Sequence, residues 1–275
     1  MKLSVINTGF FKLDGGAMFG VVPKSIWNKL NPADEKNLCT WSMRCLLIED
    51  GDRLILIDNG LGDKQSPEFF KHYYLHGNDT LAGSIENAGY ALSDVTDMFL
   101  THLHFDHCGG GVKKDGSLLF PNATYWSNSS HWNWAMQPNA REKASFFKEN
   151  LLPMQESGHL KLIDKNAKSP IPSFDLTCVD GHTEQMMLPV VRYKEKTIVY
   201  MADLIPSAGH IPVPYVMGYD TRPLLTMSEK EKFLKEAVAN NYILFFEHDP
   251  VVECCTLQQT EKGVRLDKTF SLSEV

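Results

Sequence analysis

The chain has 275 residues, of which 43% are hydrophobic, and its formal net charge is −7. This size supports one large α/β domain with a substantial core. The acidic balance argues against a general nucleic-acid surface, and the absence of a long apolar run or an apolar leader argues against membrane insertion and secretion. Six scattered cysteines without a CxxC pair predict reduced thiols in a cytoplasmic protein.

The first half of the chain begins with strand-like segments. Three short runs are rich in β-branched and apolar residues and predict strands: Leu3–Ile6, Arg44–Glu49 and Arg53–Asp58. The sequence Glu-Asp-Gly-Asp at 49–52 predicts a hairpin turn between the last two. A helix is predicted over Asn78–Ala88, ended by Gly89. A short buried strand over Val95–Thr101 then leads directly into His102.

Residues 121–172 differ in character because aromatic side chains are concentrated there. They include Trp126, Trp132, Trp134, Phe146 and Phe147. A helix is predicted over Ala140–Leu152. We interpret the stretch as an insertion of helices and loops that covers a site; the alternative is a peripheral helical pair with its own small core. No long linker divides the chain, so residues 1–275 are predicted to form one domain.

The second half returns to short apolar strands, and each is followed closely by a side chain that can bind a metal ion. The predicted strands are Phe174–Val179, Thr197–Met201 and Tyr242–Phe246, and the residues that follow them are His182, Asp203 and His248. A helix with Ser228 as its cap is predicted over Ser228–Asn240. Candidate ligands that recur at strand ends indicate one site at the edge of a sheet.

The strongest motif is the sequence Thr-His-Leu-His-Phe-Asp-His-Cys-Gly-Gly at 101–110. In an extended segment, side chains two positions apart point the same way, so His102 and His104 can bind one ion together. Asp106 and His107 follow where the chain turns, and they can face a second ion. Imidazole and carboxylate ligands suit Zn²⁺, and also Fe, Mn or Co. The alternative is a set of ordinary surface histidines.

This His-x-His-x-Asp-His pattern after an apolar strand resembles the metal-binding motif of the metallo-β-lactamase superfamily. Four further segments resemble elements of the same superfamily: Asp58-Asn59-Gly60, Asp180-Gly181-His182-Thr183, Tyr200-Met201-Ala202-Asp203 and Phe246-Glu247-His248-Asp249. The resemblance runs from about residue 3 to about residue 255, with the insertion excepted.

The resemblance implies an α/β fold, the four-layer αββα sandwich, in which two mixed β-sheets pack together with helices outside and two divalent metal ions at one edge. It also implies the roles of seven residues: His102, His104 and His182 would hold one ion, Asp106, His107 and His248 the other, and Asp203 would bridge them. Two such ions would lower the pKa of a shared water from about 15.7 towards about 7. The resulting hydroxide would attack the carbonyl carbon of an ester-like bond or the phosphorus of a phosphoryl group. Asp106 or Asp203 would then pass a proton to the leaving group.

Within the superfamily, the chain resembles the lactonase-like and organophosphate-hydrolase-like branch. The segments 16–20 and 22–24 and the insertion support this. Homoserine-lactone lactonases usually carry a tyrosine three residues after the bridging aspartate, whereas this chain has Pro206; Tyr215 and Tyr219 are the candidate replacements. We therefore expect a hydrolase of a lactone, ester or related small molecule. The alternatives are organophosphate or β-lactam hydrolysis, a sensor that binds without turnover, and a di-iron redox protein. The fold also allows a homodimer.

Several other residues have a functional and a structural interpretation. His210 and His131 either reach the site or are hydrogen-bonded within the protein, and Cys108 is either reactive or packed. Glu247 and Asp249 either orient the ligand imidazoles or serve as local caps. The candidate apolar pocket walls, each equally explained as core, are Met18, Phe19, Phe105 and Trp132.

Overall fold

The computed structural model describes residues 1–165 and 167–275. These residues form two six-stranded sheets. The first sheet contains, in spatial order, β1 (Lys2–Asp14), β2 (Leu38–Asp50), β3 (Arg53–Ile57), β4 (Asp97–Phe99), β5 (Thr124–Asn128) and β6 (Leu160–Ile163). The second contains β7 (Phe174–Val179), β8 (Met186–Tyr193), β9 (Lys196–Tyr200), β10 (Ile243–Phe245), β11 (Cys254–Thr260) and β12 (Gly263–Phe270), also as consecutive neighbours.

Both sheets are mixed. The strands β1 to β3 pair antiparallel and β3 to β6 parallel, whereas in the second sheet only β9 and β10 pair parallel. The α-helices are α1 (Gly15–Phe19), α2 (Lys24–Trp27), α3 (Pro67–Phe70), α4 (Leu81–Asn87), α5 (Phe105–Cys108), α6 (Ser129–Met136), α7 (Lys148–Glu156) and α8 (Pro223–Ala239). Helices α4 and α6 pack on the first sheet and α8 on the second, which confirms the predicted αββα sandwich.

The alternation of side chains along β3 shows how the layers are held together. Leu54 and Leu56 join the apolar cluster between the first sheet and its helices, which includes Ile85 of α4. Ile55 and Ile57 point the opposite way, into the cluster that the two sheets share. Because side chains in a strand alternate between faces, one short segment thus contributes to both cores. Each fully buried Leu or Ile contributes roughly 1.5–3 kcal/mol to this packing.

The predictions for the first half are largely confirmed. Asp50 pairs with Arg53, and Gly51 adopts a φ of +64° in the hairpin turn between them. Helix α4 begins later than predicted because the side chain of Thr80 accepts a hydrogen bond from the Gly83 amide and caps the helix there.

The aromatic stretch 121–172 contains more than the predicted helices and loops. It also supplies β5 and β6, which extend the first sheet in parallel. Aromatic residues favour strands, and the buried Tyr125 hydroxyl donates to the Gly111 carbonyl at 2.8 Å. Helix α7 begins at Lys148, so the predicted start at Ala140 was wrong. The segment before Lys148 instead forms loops and a short 3₁₀ turn.

In the second half, β7 has its predicted bounds, and β9 and β10 differ from prediction by one residue at each end. Helix α8 begins at Pro223 rather than after Ser228, since proline is well suited to the first turn. Strand β8 was not predicted, and its Pro189 is unusual within a sheet. All six cysteines are free. Within the described ranges, no helix has the length and apolar character to cross a bilayer.

Candidate metal centre

The predicted ligands lie beyond the carboxyl ends of strands from both sheets. His102 follows β4 of the first sheet, His182 follows β7, Asp203 follows β9 and His248 follows β10 of the second. Because β9 and β10 are parallel neighbours, their ends bring Asp203 and His248 together. The sandwich then places these loops against the motif at 101–110.

The motif itself changes conformation halfway. His102 and His104 lie on an extended segment and point the same way, with His102 Nε2 3.1 Å from His104 Nδ1. Helix α5 begins at the next residue, so Asp106 and His107 project to a different side. The turn that follows requires glycine, because a Cβ on Gly109 would lie 2.0 Å from the Leu61 carbonyl oxygen. The structure thus separates His102 and His104 from Asp106 and His107, as two pairs that face different sides.

Two groups of ligand atoms result. In the first, His182 Nε2 lies 3.1 Å from His104 Nδ1 and joins His102 and Asp203. In the second, His248 Nε2 lies 3.1 Å from His107 Nε2. Asp106 completes it, with Oδ2 3.8 Å from His248 Nε2.

Asp203 lies between the two groups. Its Oδ2 is 3.1 Å from His182 Nε2, whereas its Oδ1 is 3.1 Å from His248 Nε2 and 3.6 Å from His107 Nε2. The carboxylate therefore offers one oxygen to each group. The preceding residue, Ala202, is buried with a φ of +40°, a conformation that L residues rarely adopt and that often marks functional sites.

The first group is held from outside by carboxylates. His182 Nδ1 lies 2.9 Å from Asp220 Oδ1, and His104 Nε2 lies 3.3 Å from Glu142 Oε1. When both rings are neutral and these outer nitrogens donate, the inner nitrogens of His182 and His104 carry lone pairs that face each other. Two lone pairs at this distance repel unless a cation lies between them.

The second group is held in the same way. His107 Nδ1 lies 3.1 Å from Asp58 Oδ2 and 3.0 Å from Glu247 Oε2, and His248 Nδ1 lies 2.8 Å from the Ser42 carbonyl. Asp58 is itself fixed, because its Oδ1 accepts from the Thr101 amide at 2.8 Å. Such outer contacts select the imidazole tautomer that leaves the inner nitrogen free to bind a metal.

The electrostatics of the pocket also fit cations. Burial opposes charge on His182, yet the carboxylates of Asp203 and Asp220 raise its pKa to about 10. The same balance, with Asp203 as the main partner, raises the pKa of His248 to about 9. Asp203 Oδ1 is buried and has no hydrogen-bond donor among the described residues. Five imidazoles and two carboxylates, arranged so, match the nitrogen and oxygen ligands that Zn²⁺ prefers.

A cavity of about 330 Å³ opens above the two groups. Its apolar walls include Leu13, Met18, Phe105 and Met217, and its polar groups include Tyr73, Arg141, Ser145 and Tyr219. Met18 and Phe105 are thus pocket walls as predicted, whereas Phe19 and Trp132 belong to the core. The stretch 121–172 contributes to the cavity through residues 141–145. Pro206 and Tyr215 do not line the cavity.

Three further candidates have structural roles. Buried His210 contacts the Met18 carbonyl at 2.9 Å and the Ser207 hydroxyl at 2.8 Å, and burial lowers its pKa to about 3. Burial likewise raises the pKa of the Cys108 thiol to about 12, which makes it unreactive. Asp249 caps a turn by accepting from backbone amides.

His131 also lies outside the cavity, but it links two ligand loops. Its Nε2 accepts from the Leu103 amide at 2.9 Å, and its Nδ1 lies 2.6 Å from the Glu184 carbonyl. Sequence reasoning missed Glu142, Asp220 and Ser42 altogether. No local signal marks them, because their positions beside the histidines depend on tertiary contacts.

The comparisons with known proteins agree with this geometry. The sequence model of the metallo-β-lactamase superfamily matches residues 44–248. The chain belongs to the metallo-β-lactamase superfamily. It is a metal-dependent hydrolase of that superfamily, and its histidine and aspartate clusters are suited to divalent metal ions.

A probable metallo-hydrolase of Mycobacterium tuberculosis is 40% identical to this chain over 230 residues, which cover 74% of this chain and 70% of the relative. An N-acyl homoserine lactonase of Bacillus cereus is 23% identical and covers 82% of this chain and 87% of its own length. A crystal structure of a probable metal-dependent hydrolase from Staphylococcus aureus has a TM-score of 0.88 and 26% identity, with 98% of both chains covered. The dizinc quorum-quenching lactonase AidC shares the fold, with a TM-score of 0.80 at 22% identity and coverage of 98% and 95%.

Proposed function

We propose that the chain hydrolyses a lactone or a related ester of a small molecule with two divalent metal ions, most naturally zinc. The observation that carries the proposal is the position of Asp203, whose two oxygens face different groups of imidazoles. One ion would be held by His102, His104 and His182, the other by Asp106, His107 and His248, with Asp203 shared. Bound there, the ions would activate a water molecule and polarise the scissile carbonyl group.

The chain's own residues supply the rest of the chemistry. Asp106 lies in the cavity wall with its side chain 13% exposed, so it is the carboxylate best placed to carry a proton to the leaving oxygen. Asp203, at 8%, is enclosed by imidazoles and is better suited to a structural role between the ions. The outer contacts of the histidines fix the ring orientations before substrate binds, which reduces reorganisation during the reaction.

The cavity supports an apolar substrate with few polar atoms. Leu13, Met18, Phe105 and Met217 would contact an acyl or alkyl portion and exclude water. Tyr219, which is 40% exposed and lines the cavity, would donate to a substrate oxygen in place of the tyrosine that Pro206 replaces. Lactonase relatives at 22–24% identity over most of the chain support this substrate class.

The test combines metal analysis with an activity panel. The purified protein would be assayed for bound metal and for turnover of aliphatic lactones, arylesters and a phosphotriester. We expect about two divalent ions per chain, with lactones or arylesters as the best substrates. Fully metal-loaded protein that hydrolyses none of the panel would overturn the proposal. A preference for the phosphotriester would retain the metal centre and overturn the substrate class.

A further inference from the structure

We infer that the aromatic stretch 121–172 helps to orient the candidate metal ligands through Arg141 and Glu142. In this inference, Glu142 is a positioning residue for His104. The inference rests on the proposed function, because it requires His104 to bind a metal ion. It concerns a carboxylate that lies outside the metal-binding motifs of the sequence. Among the described residues of this stretch, the partners of a candidate ligand's outer nitrogen are confined to those of His104.

Both carboxylate oxygens of Glu142 have partners within the protein. Its Oε1 lies 3.3 Å from His104 Nε2, and its Oε2 accepts from Trp134 Nε1 at 2.6 Å and Asn139 Nδ2 at 2.8 Å. The residue is only 2% exposed, although it borders the cavity.

Arg141, the residue before Glu142, contacts the loop that holds His182, the third histidine of the first ligand group. Its Nη2 donates to the Gly218 carbonyl and, at 3.2 Å, to the Asp220 carbonyl. Asp220 in turn binds the outer nitrogen of His182. Two adjacent residues of the stretch thus connect to two of the three histidines in one group, one directly and one through a loop.

This arrangement has a specific chemical consequence. A carboxylate on the outer nitrogen of an imidazole fixes the tautomer and makes the inner nitrogen a better metal ligand, typically by 10–100-fold in metal affinity. The effect of Glu142 should be confined to the ion held by His102, His104 and His182, since the second group is oriented by Asp58, Glu247 and the Ser42 carbonyl.

The test is a zinc titration of metal-free protein against a chromophoric chelator, which resolves the two binding constants. Glu142→Gln keeps the shape but removes the charge, and Glu156→Gln on the exposed end of α7 is the matched control. We expect Glu142→Gln to weaken one constant at least tenfold and leave the other within twofold. The visible spectrum of the cobalt-substituted protein should change in the same variant only.

The outcomes separate the two proposals. Equal constants and an unchanged cobalt spectrum in parent and Glu142→Gln would overturn this inference and leave the proposed function standing. A parent protein that binds no divalent ion would overturn the proposed function itself. If Glu142→Gln does not fold, Trp134→Phe is the alternative variant, because it removes one donor to Glu142 Oε2 and leaves the carboxylate in place. For the inference to hold, Trp134→Phe must weaken one of the two zinc-binding constants and not the other.

Discussion

Glu247 offers a test in which stability and metal affinity should move in opposite directions. Its carboxylate is fully buried, and Oε2 lies 3.0 Å from His107 Nδ1. The imidazole has one proton at this nitrogen and also faces Asp58 Oδ2 at 3.1 Å. Two buried carboxylates therefore compete for one donor. Burial and the Asp58 charge raise the pKa of Glu247 from 4.5 to about 7.

The sign follows from proton binding. Between pH 4.5 and 7, the folded metal-free protein retains a proton on Glu247 that the unfolded chain releases, so this group makes stability fall as pH rises through that interval. The shift corresponds to about 3 kcal/mol, at 1.36 kcal/mol per pKa unit. Glu247→Gln cannot titrate. The metal-free variant should match the parent near pH 4.5 and exceed it by up to about 3 kcal/mol above pH 7.

With metal present, the expectation reverses. The Glu247 charge stabilises a cation on the far side of His107, so the glutamine variant should bind one of the two ions about tenfold more weakly. Urea unfolding of chelated protein at pH 4.5, 6 and 7.5 measures the first effect, and chelator competition measures the second. Exposed Glu156→Gln should alter neither. A stability difference between variant and parent that is independent of pH would refute this account of Glu247.

Four further outcomes are expected. Asp106→Asn should lower kcat/KM by about 10²–10⁴-fold, the usual contribution of a proton-transferring residue, and near-normal turnover would exclude it from that role. Tyr219→Phe should lower kcat/KM for the best lactone or ester by about tenfold, close to the worth of one hydrogen bond, whereas Tyr74→Phe, equally exposed but outside the cavity, should have no effect. Lys230→Met should reduce the free energy of unfolding by about 2–4 kcal/mol, because three carbonyls in the segment 210–215 lose their buried donor. The exposed Lys232→Met variant gives the baseline in the same urea titration. A reduction for Lys230→Met of less than about 0.5 kcal/mol, the size of a neutral surface change, would contradict the prediction. Removing metal with a chelator should lower the melting temperature measured by calorimetry by about 5–10 °C, if the free metal concentration before removal exceeds Kd about 100-fold. An unchanged melting temperature would argue against tightly bound ions.

The candidate metal ligands were accessible to sequence reasoning because their signal is local. The motif at 101–110 places four candidate ligands within six residues, and residues two apart on an extended segment necessarily share a side. The ligands His182, Asp203 and His248 were accessible for a related reason, since each follows a short apolar strand. The structure brings all of these side chains together.

The residues that orient the ligands could not be predicted in this way. Glu142 lies 38 positions from His104 along the chain, as Asp220 does from His182. Neither has a distinctive neighbour in sequence, and each reaches its histidine only through the packing of a loop. Strand β8 was missed because its nearly continuous buried run has no alternation and contains Pro189, and β5 because its aromatic residues equally suit a helical core.

Each group of ligands combines residues from the two halves of the sandwich. The first joins His102 and His104, which follow a strand of the first sheet, to His182, which follows a strand of the second. The second joins Asp106 and His107 to His248 in the same manner. Bound ions would therefore connect the two sheets at their shared edge, beside the backbone hydrogen bonds from the Ser42 amide to the His248 carbonyl and from the Met187 amide to the Thr101 carbonyl. Because the outer nitrogens are already held by Asp58, Asp220, Glu142 and the Ser42 carbonyl, little side-chain entropy remains to be lost when the ions bind. The imidazoles are thus oriented during folding, and we expect the affinity for metal to depend on residues that do not contact the ion.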